Sequence, residues 1–145
     1  MSAGTPSLLP LIQSIPLFAS LTEAQHKEII DGIVLNYYPK EHSFFDEGES
    51  VSENSCMYII KSGLVQIEKK ETFEHYKPLK VLEQGSFFGE MAFVLNEPRN
   101  ARARALEDCE VFELKKATFT KLMENSPETA AKISEEFLSR LKQNG

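Results

Sequence analysis

Little in this sequence supports covalent or metal chemistry. Histidine occurs three times, as His26, His42 and His75, with no two in ligand spacing. A metal-dependent reaction, which needs clustered histidines and a carboxylate, therefore has no visible site. No serine stands in a nucleophile-elbow context and no Gly-Lys-Ser/Thr phosphate loop occurs, so no enzyme is expected. The two cysteines, Cys56 and Cys109, are far apart, without metal spacing and in apolar strand-like runs. They read as free buried thiols of a reducing, cytoplasmic setting rather than as a disulfide. A basic surface is missing too: the net charge is −6 and the pI about 5.2, which argues against direct nucleic-acid binding. The apolar N-terminal stretch lacks a basic flank, is interrupted by Pro10 and Pro16, and falls short of the roughly 20 residues that span a bilayer. Neither a signal peptide nor a membrane segment is expected.

What is present fits one small domain over residues 1–145, with 41% hydrophobic residues and ten phenylalanines to fill a core. Residues 1–31 read as N-terminal helices, with Ser20-Leu21-Thr22-Glu23 able to cap the second and Asp31-Gly32 ending it. From Ile33 the period changes to alternation, and residues 33–115 read as short strands. Ser43-Phe44-Phe45 is followed by an acidic turn, Asp46-Glu47-Gly48-Glu49, whose carboxylates read as solvated charge. Cys56–Ile60 is a buried strand, Lys61-Ser62-Gly63 a tight turn, and Leu64–Glu68 its expected hairpin partner. Residues 68–78 are charged and read as a loop before a strand over Leu79–Glu83, and Cys109–Leu114 closes the series. Short strands punctuated by Gly48, Gly63, Gly85 and Gly89 predict an antiparallel sandwich or jelly roll with an open mouth for a small ligand. Residues 116–142 read as C-terminal helices, broken at Asn125-Ser126-Pro127.

One stretch carries chemistry. In Phe88-Gly89-Glu90-Met91-Ala92, Gly89 permits close backbone approach and positive φ. Met91–Leu95 can form a short helical turn whose free N–H groups make an anion site. Glu90 cannot bind phosphate but can accept from a neutral diol such as ribose. Arg99 follows ten positions after the glycine, and its planar fork can donate two parallel bonds to phosphate oxygens. Alternation puts Arg99 on one face with Ala101, Ala103 and Ala105, small residues that leave room, while Asn100, Arg102 and Arg104 point away, most simply into water.

These residues resemble the phosphate-binding cassette of the cyclic nucleotide-binding domain family, found in catabolite-activator-type regulators, cyclic-nucleotide-dependent kinases and gated channels. That cassette reads roughly Phe-Gly-Glu-Leu-Ala, a spacer, then Pro-Arg-x-Ala, and stands here as Phe88-Gly89-Glu90-Met91-Ala92 and Pro98-Arg99-Asn100-Ala101, within residues 88–101. The resemblance covers nearly all of the chain. It implies a mainly β fold, a double-stranded β-helix (jelly roll) with N-terminal helices, a short cassette helix and C-terminal helices. It further implies that Glu90 binds the ribose 2′-hydroxyl, that Arg99 binds the cyclic phosphate, and that the amides of Ala92 and Ala101 add donors. Threonine after the arginine tends to accompany cGMP binding; Asn100 stands there instead. The final helix carries Ala130, Ile133, Phe137, Leu138 and Leu141 on one stripe, which either packs on the barrel or closes over the base. Arg140 either stacks on a purine or is a solvated arginine near a helix C-terminus. Transcription factors of the family carry a helix-turn-helix beyond this point, for which the chain leaves no room.

The expected function is thus a cytoplasmic cyclic nucleotide sensor for signal transduction, taking cAMP ahead of cGMP as ligand, with no cofactor or metal. Its ligand-binding residues would be Phe88, Gly89, Glu90, Met91, Ala92, Arg99, Asn100, Ala101 and Arg140. Its partner would be a protein effector in trans or in a longer chain, or a second copy in a homodimer. The alternative is a degenerate member that has lost nucleotide binding, pairs Glu90 with Arg99 internally, and serves as a protein-interaction or dimerisation module.

Overall fold

The computed structural model describes residues 5–144, with side-chain detail over residues 8–136. The described residues divide into two compact units, one from the two ends of the chain, up to residue 33 and from residue 117, the other from residues 34–116.

The first unit is helical. Helix α1 (Thr5–Ser14) runs through Pro10, a 3-10 turn covers Pro16–Phe18, and α2 (Glu23–Asp31) follows. The α2 start is a reciprocal capping box: the Thr22 hydroxyl accepts from the Gln25 N–H, and the Gln25 side chain accepts from the Thr22 N–H. Helix α3 is Lys116–Glu124 and α4 is Pro127–Asn144, two residues longer than the sequence predicts. Phe18 and Phe119 meet with ring centroids 5.9 Å apart. Gln25 Nε2 donates to Ser126 Oγ at 3.0 Å, and Ser20 Oγ to Glu136 Oε1 at 2.6 Å, so both chain ends contribute to one unit. No helix among the described residues is long and apolar enough to cross a membrane.

The second unit is the expected antiparallel β-roll. Its strands are β1 (Val34–Tyr38), β2 (Ser43–Phe45), β3 (Cys56–Ser62), β4 (Val65–Thr72), β5 (His75–Leu82), β6 (Phe87–Phe88), β7 (Arg102–Ala105) and β8 (Cys109–Lys115). They form two four-stranded sheets, ordered β1-β8-β3-β6 and β2-β7-β4-β5. Both inner faces contribute to one core of Phe44, Phe45, Tyr58, Ile60, Val65, Phe88, Ala103, Ala105, Cys109 and Val111. Alternation places these residues inside, since strand side chains project to opposite faces in turn. Cys109 is buried and Cys56 half-buried, both as free thiols.

Two expectations are corrected here. β3 and β4 do not form a hairpin: Gly63 carries the chain from one sheet to the other. With φ +100° it leaves no space for a side chain, because a Cβ would lie 2.7 Å from Cys109 Sγ and 2.6 Å from Asp108 O. Residues 68–78 are not a loop either. They belong to the long β4–β5 hairpin, which turns at Phe73-Glu74 between the paired Thr72 and His75, with Glu74 at φ +64°. Most of the hairpin's charged side chains are exposed, and Glu68, the buried one, is paired with the arginines of β7.

Candidate functional site

Arg99 is held from both its backbone and its side chain. Its N–H donates to Glu49 O at 2.9 Å and its carbonyl accepts from Gly48 N–H at 2.7 Å, so the Asp46–Glu49 turn fixes it. The turn carboxylates are less free than expected, since Glu47 accepts from Lys70 N–H at 2.7 Å. The Arg99 side chain turns inward and is 8% exposed. Its Nη1 donates to Gly89 O and its Nη2 to Cys56 O, each at 2.9 Å, and the guanidinium carbon sits 4.0 Å above the centre of the Phe45 ring.

No carboxylate pairs with Arg99 among the described residues, and its Nε–H, shielded from solvent, has no partner. A buried donor left unpaired costs about 1–3 kcal/mol. Burial pulls the guanidinium below the usual arginine range, opposed by Tyr58, Glu49, Cys56 and Glu90. Of five N–H groups two are spent on carbonyls, leaving Nε–H and one on each terminal nitrogen as further donors.

Gly89 adopts φ +83°, and a Cβ there would come within 3.2 Å of Arg99 Nη1, Cys56 O and a Phe45 ring carbon. Glycine is therefore what lets its carbonyl reach the guanidinium. After it, the short helical turn expected over Met91–Leu95 is a 3-10 turn at Glu90–Phe93. Four residues are too few for an appreciable dipole, so this segment offers N–H groups only. Glu90 is half-buried and has no ion-pair partner among the described residues. Burial raises its carboxyl above the usual range, partly offset by its own backbone N–H, Lys80 and Arg99. A cation and a carboxylate thus stand in one cassette, each drawn from water and each favouring the other's charge without an ion-pair contact.

The other expected residues scatter in role. Phe88 is 4% exposed and stacks on Tyr58 with centroids 5.0 Å apart, under the cassette as part of the core. Ala92 and Ala101 are buried and Met91 is exposed. Asn100 is exposed, with its carbonyl accepting from Lys69 Nζ at 2.6 Å. The side chain of Arg140 lies outside the described residues. Ala103 and Ala105 are fully buried on the face predicted for them. Arg102 and Arg104 are on the opposite face as predicted, but they do not point into water. Both bind Glu68, itself 1% exposed: Arg102 Nε donates at 2.5 Å and Arg104 at 3.1 and 3.0 Å. Arg104 also reaches Glu41, and Arg102 covers the Tyr76 ring at 3.6 Å.

Sequence reading missed the residues that hold Arg99 in place: Phe45, Cys56 and Glu49. Each acts from a distant strand or turn, two of them through backbone carbonyls, which carry no side-chain signature. Lys80 was missed for the same reason, being placed by the β4–β5 pairing alone.

Comparison with known proteins identifies the family. The family profile described as "Cyclic nucleotide-binding domain" matches residues 35–126. The chain is 30% identical over 118 residues to the cGMP-dependent protein kinase egl-4 of Caenorhabditis briggsae, covering 80% of this chain and 15% of that protein. It is 29% identical over 112 residues to a cAMP-dependent protein kinase regulatory subunit of Aspergillus fumigatus, covering 77% of this chain and 26% of that protein. The chain thus spans about a quarter or less of these curated relatives. Among solved structures, cAMP-bound PfPKA-R superposes with a TM-score of 0.78 at 24% identity, over 96% of this chain and 48% of that one. The Thermus thermophilus catabolite activator protein superposes with a TM-score of 0.67 at 25% identity, over 89% of this chain and 59% of that one. With its profile matched over residues 35–126, the chain belongs to the cyclic nucleotide-binding domain family.

Proposed function

We propose that this chain is a regulatory sensor that binds a 3′,5′-cyclic purine nucleotide, cAMP ahead of cGMP, and has no catalysis of its own. The observation that carries the reading is the buried Arg99 with its orphaned Nε–H, beside a half-buried Glu90 with which it makes no ion-pair contact. An anion supplies what Arg99 lacks. A cyclic nucleotide places a phosphate and a ribose hydroxyl close together, and two such groups are what this pair can take up. Arg99 binds the phosphate with its free fork positions, with the amides of Ala92 and Ala101 as further donors. Glu90 accepts from the 2′-hydroxyl. Gly89 lets the ligand approach the backbone, Phe88 supports the cassette from below, and Met91 and Asn100 flank it. Arg140 on α4 is a candidate to meet the base.

Asn100, at the position where threonine accompanies cGMP, is not diagnostic of the base, and relatives of both kinds are found. Occupancy shifts the balance between conformations of the terminal helices, and so signals to a protein effector in trans, elsewhere in a longer chain, or in a second copy. A cytoplasmic setting suits that role and the two free thiols.

Thermal denaturation with a panel of cyclic mononucleotides tests the reading. A true ligand raises the melting temperature by mass action, by about 2.7 kcal/mol of stability at 100 times its dissociation constant. cAMP should give the largest shift. No shift with any member would overturn the reading and leave a protein-interaction or dimerisation module.

A further inference from the structure

A second buried cation lies close to the cassette. Lys116 ends the β-roll unit and is the first residue of α3. It is 8% exposed, and no carboxylate pairs with it among the described residues. Its Nζ donates to Asn96 Oδ1 at 2.7 Å. Its backbone N–H donates to Ser55 O at 2.8 Å. Asn96 belongs to the loop that delivers Arg99, three residues further on. Ser55 immediately precedes Cys56, whose carbonyl receives the Arg99 Nη2.

One residue therefore grips both pieces that fix the guanidinium: the loop that carries it and the strand start that accepts from it. Taking an ammonium out of water for one neutral partner is costly. A methionine would fill the same space without that cost, which points to a task requiring the donors.

Resting on the reading of Arg99 as the phosphate partner, we infer that Lys116 is a positioning residue for the anion site. It holds the 94–98 loop in register with the start of β3 and couples tightening of the cassette to the first turn of α3. The coupling is covalent at one end, because Lys116 is itself where strand becomes helix, and hydrogen-bonded at the other.

The test uses the whole chain, with cAMP as the probe, in calorimetry and amide hydrogen exchange. Lys116→Met keeps the stem and removes the donors; Asn96→Ala removes the acceptor. Each should weaken cAMP about tenfold, the scale of one hydrogen bond to a charged group. The double variant should be no weaker than the worse single one, because both act through one contact. Lys116→Arg should restore affinity to within about threefold of wild type. In wild type, cAMP should slow exchange both in the 94–98 loop and at the start of α3; in Lys116→Met the α3 effect should vanish. Wild-type affinity in Lys116→Met, additive losses in the double variant, or undiminished α3 protection would each overturn the inference. Should Lys116→Met fail to fold, Asn96→Ala decides, and unchanged affinity there overturns it. Absence of cAMP binding by wild type is a different failure: it removes the reading of the site, and this inference with it.

Discussion

Replacing Glu90 by glutamine should stabilise the empty protein and weaken its ligand binding. Burial raises the Glu90 carboxyl above its ordinary value of 4.5, and its own N–H, Lys80 and Arg99 offset only part of that. Between 4.5 and the raised value the folded chain holds more protons than the unfolded one. Stability therefore falls as pH rises through that window, and the deficit persists at neutral pH. Glutamine has no proton to lose, so Glu90→Gln should melt above wild type at pH 7 and lose the slope just above pH 4.5. Below that pH, where wild-type Glu90 is protonated in both states, the two curves should meet. The nucleotide tells the opposite story. A hydrogen bond to a charged acceptor contributes about 1.5–3 kcal/mol, so its conversion to a neutral one should weaken cAMP by up to about 10- to 150-fold. Melting curves across pH and calorimetry on the same preparations read both effects. A lower melting temperature at pH 7 would mean that the carboxylate supports the fold, as an internal partner of Arg99 would. Unchanged affinity would remove Glu90 from the site.

Two further variants probe what surrounds the site. Glu68→Leu removes the carboxylate of Arg102 and leaves Arg104 only Glu41, and breaking such a pair at a nearly buried position costs about 3–5 kcal/mol. The melting temperature should fall by roughly 6–20 °C. Burial alone would raise the Glu68 carboxyl, but hydrogen bonds from Arg104, Gln66 and Arg102 outweigh it and hold it below the usual range. Its stabilisation is therefore complete above the unfolded value and is lost as pH falls through the folded one, so the gap between variant and wild type should close in acid. Gly89→Ala forces an alanine into φ +83° against Arg99, Cys56 and Phe45, at a cost of about 1–2 kcal/mol. It should lower the melting temperature by a few degrees and cAMP affinity as well; unaltered affinity would show that the carbonyl of Gly89 does not set the guanidinium.

How much of this was legible in the sequence depended on range. The cassette was readable because its groups lie within fourteen residues of each other, and the alternation from Arg99 to Ala105 correctly put the alanines inward. Helix ends were readable at Thr22, Gly32 and Pro127, where local chemistry decides. What failed was pairing at a distance. Lys61-Ser62-Gly63 has the composition of a hairpin turn, but nothing local says that β4 joins the other sheet. The charges of residues 68–78 look like a loop until Glu68 meets Arg102 and Arg104, more than thirty residues away. The same limit hid the Phe45 ring and the Cys56 carbonyl that seat Arg99.

The most direct test of the account is the dissociation constant of cAMP for wild type and Arg99→Ala, by calorimetry on protein shown to be folded by circular dichroism. Truncating one partner of a buried, hydrogen-bonded charge pair costs about 2–5 kcal/mol, so affinity should fall roughly 30- to several-thousand-fold. Arg99→Lys, which keeps the charge but not the planar fork, should also bind more weakly than wild type. A folded Arg99→Ala protein that binds cAMP as tightly as wild type would contradict the assignment of this arginine to the phosphate.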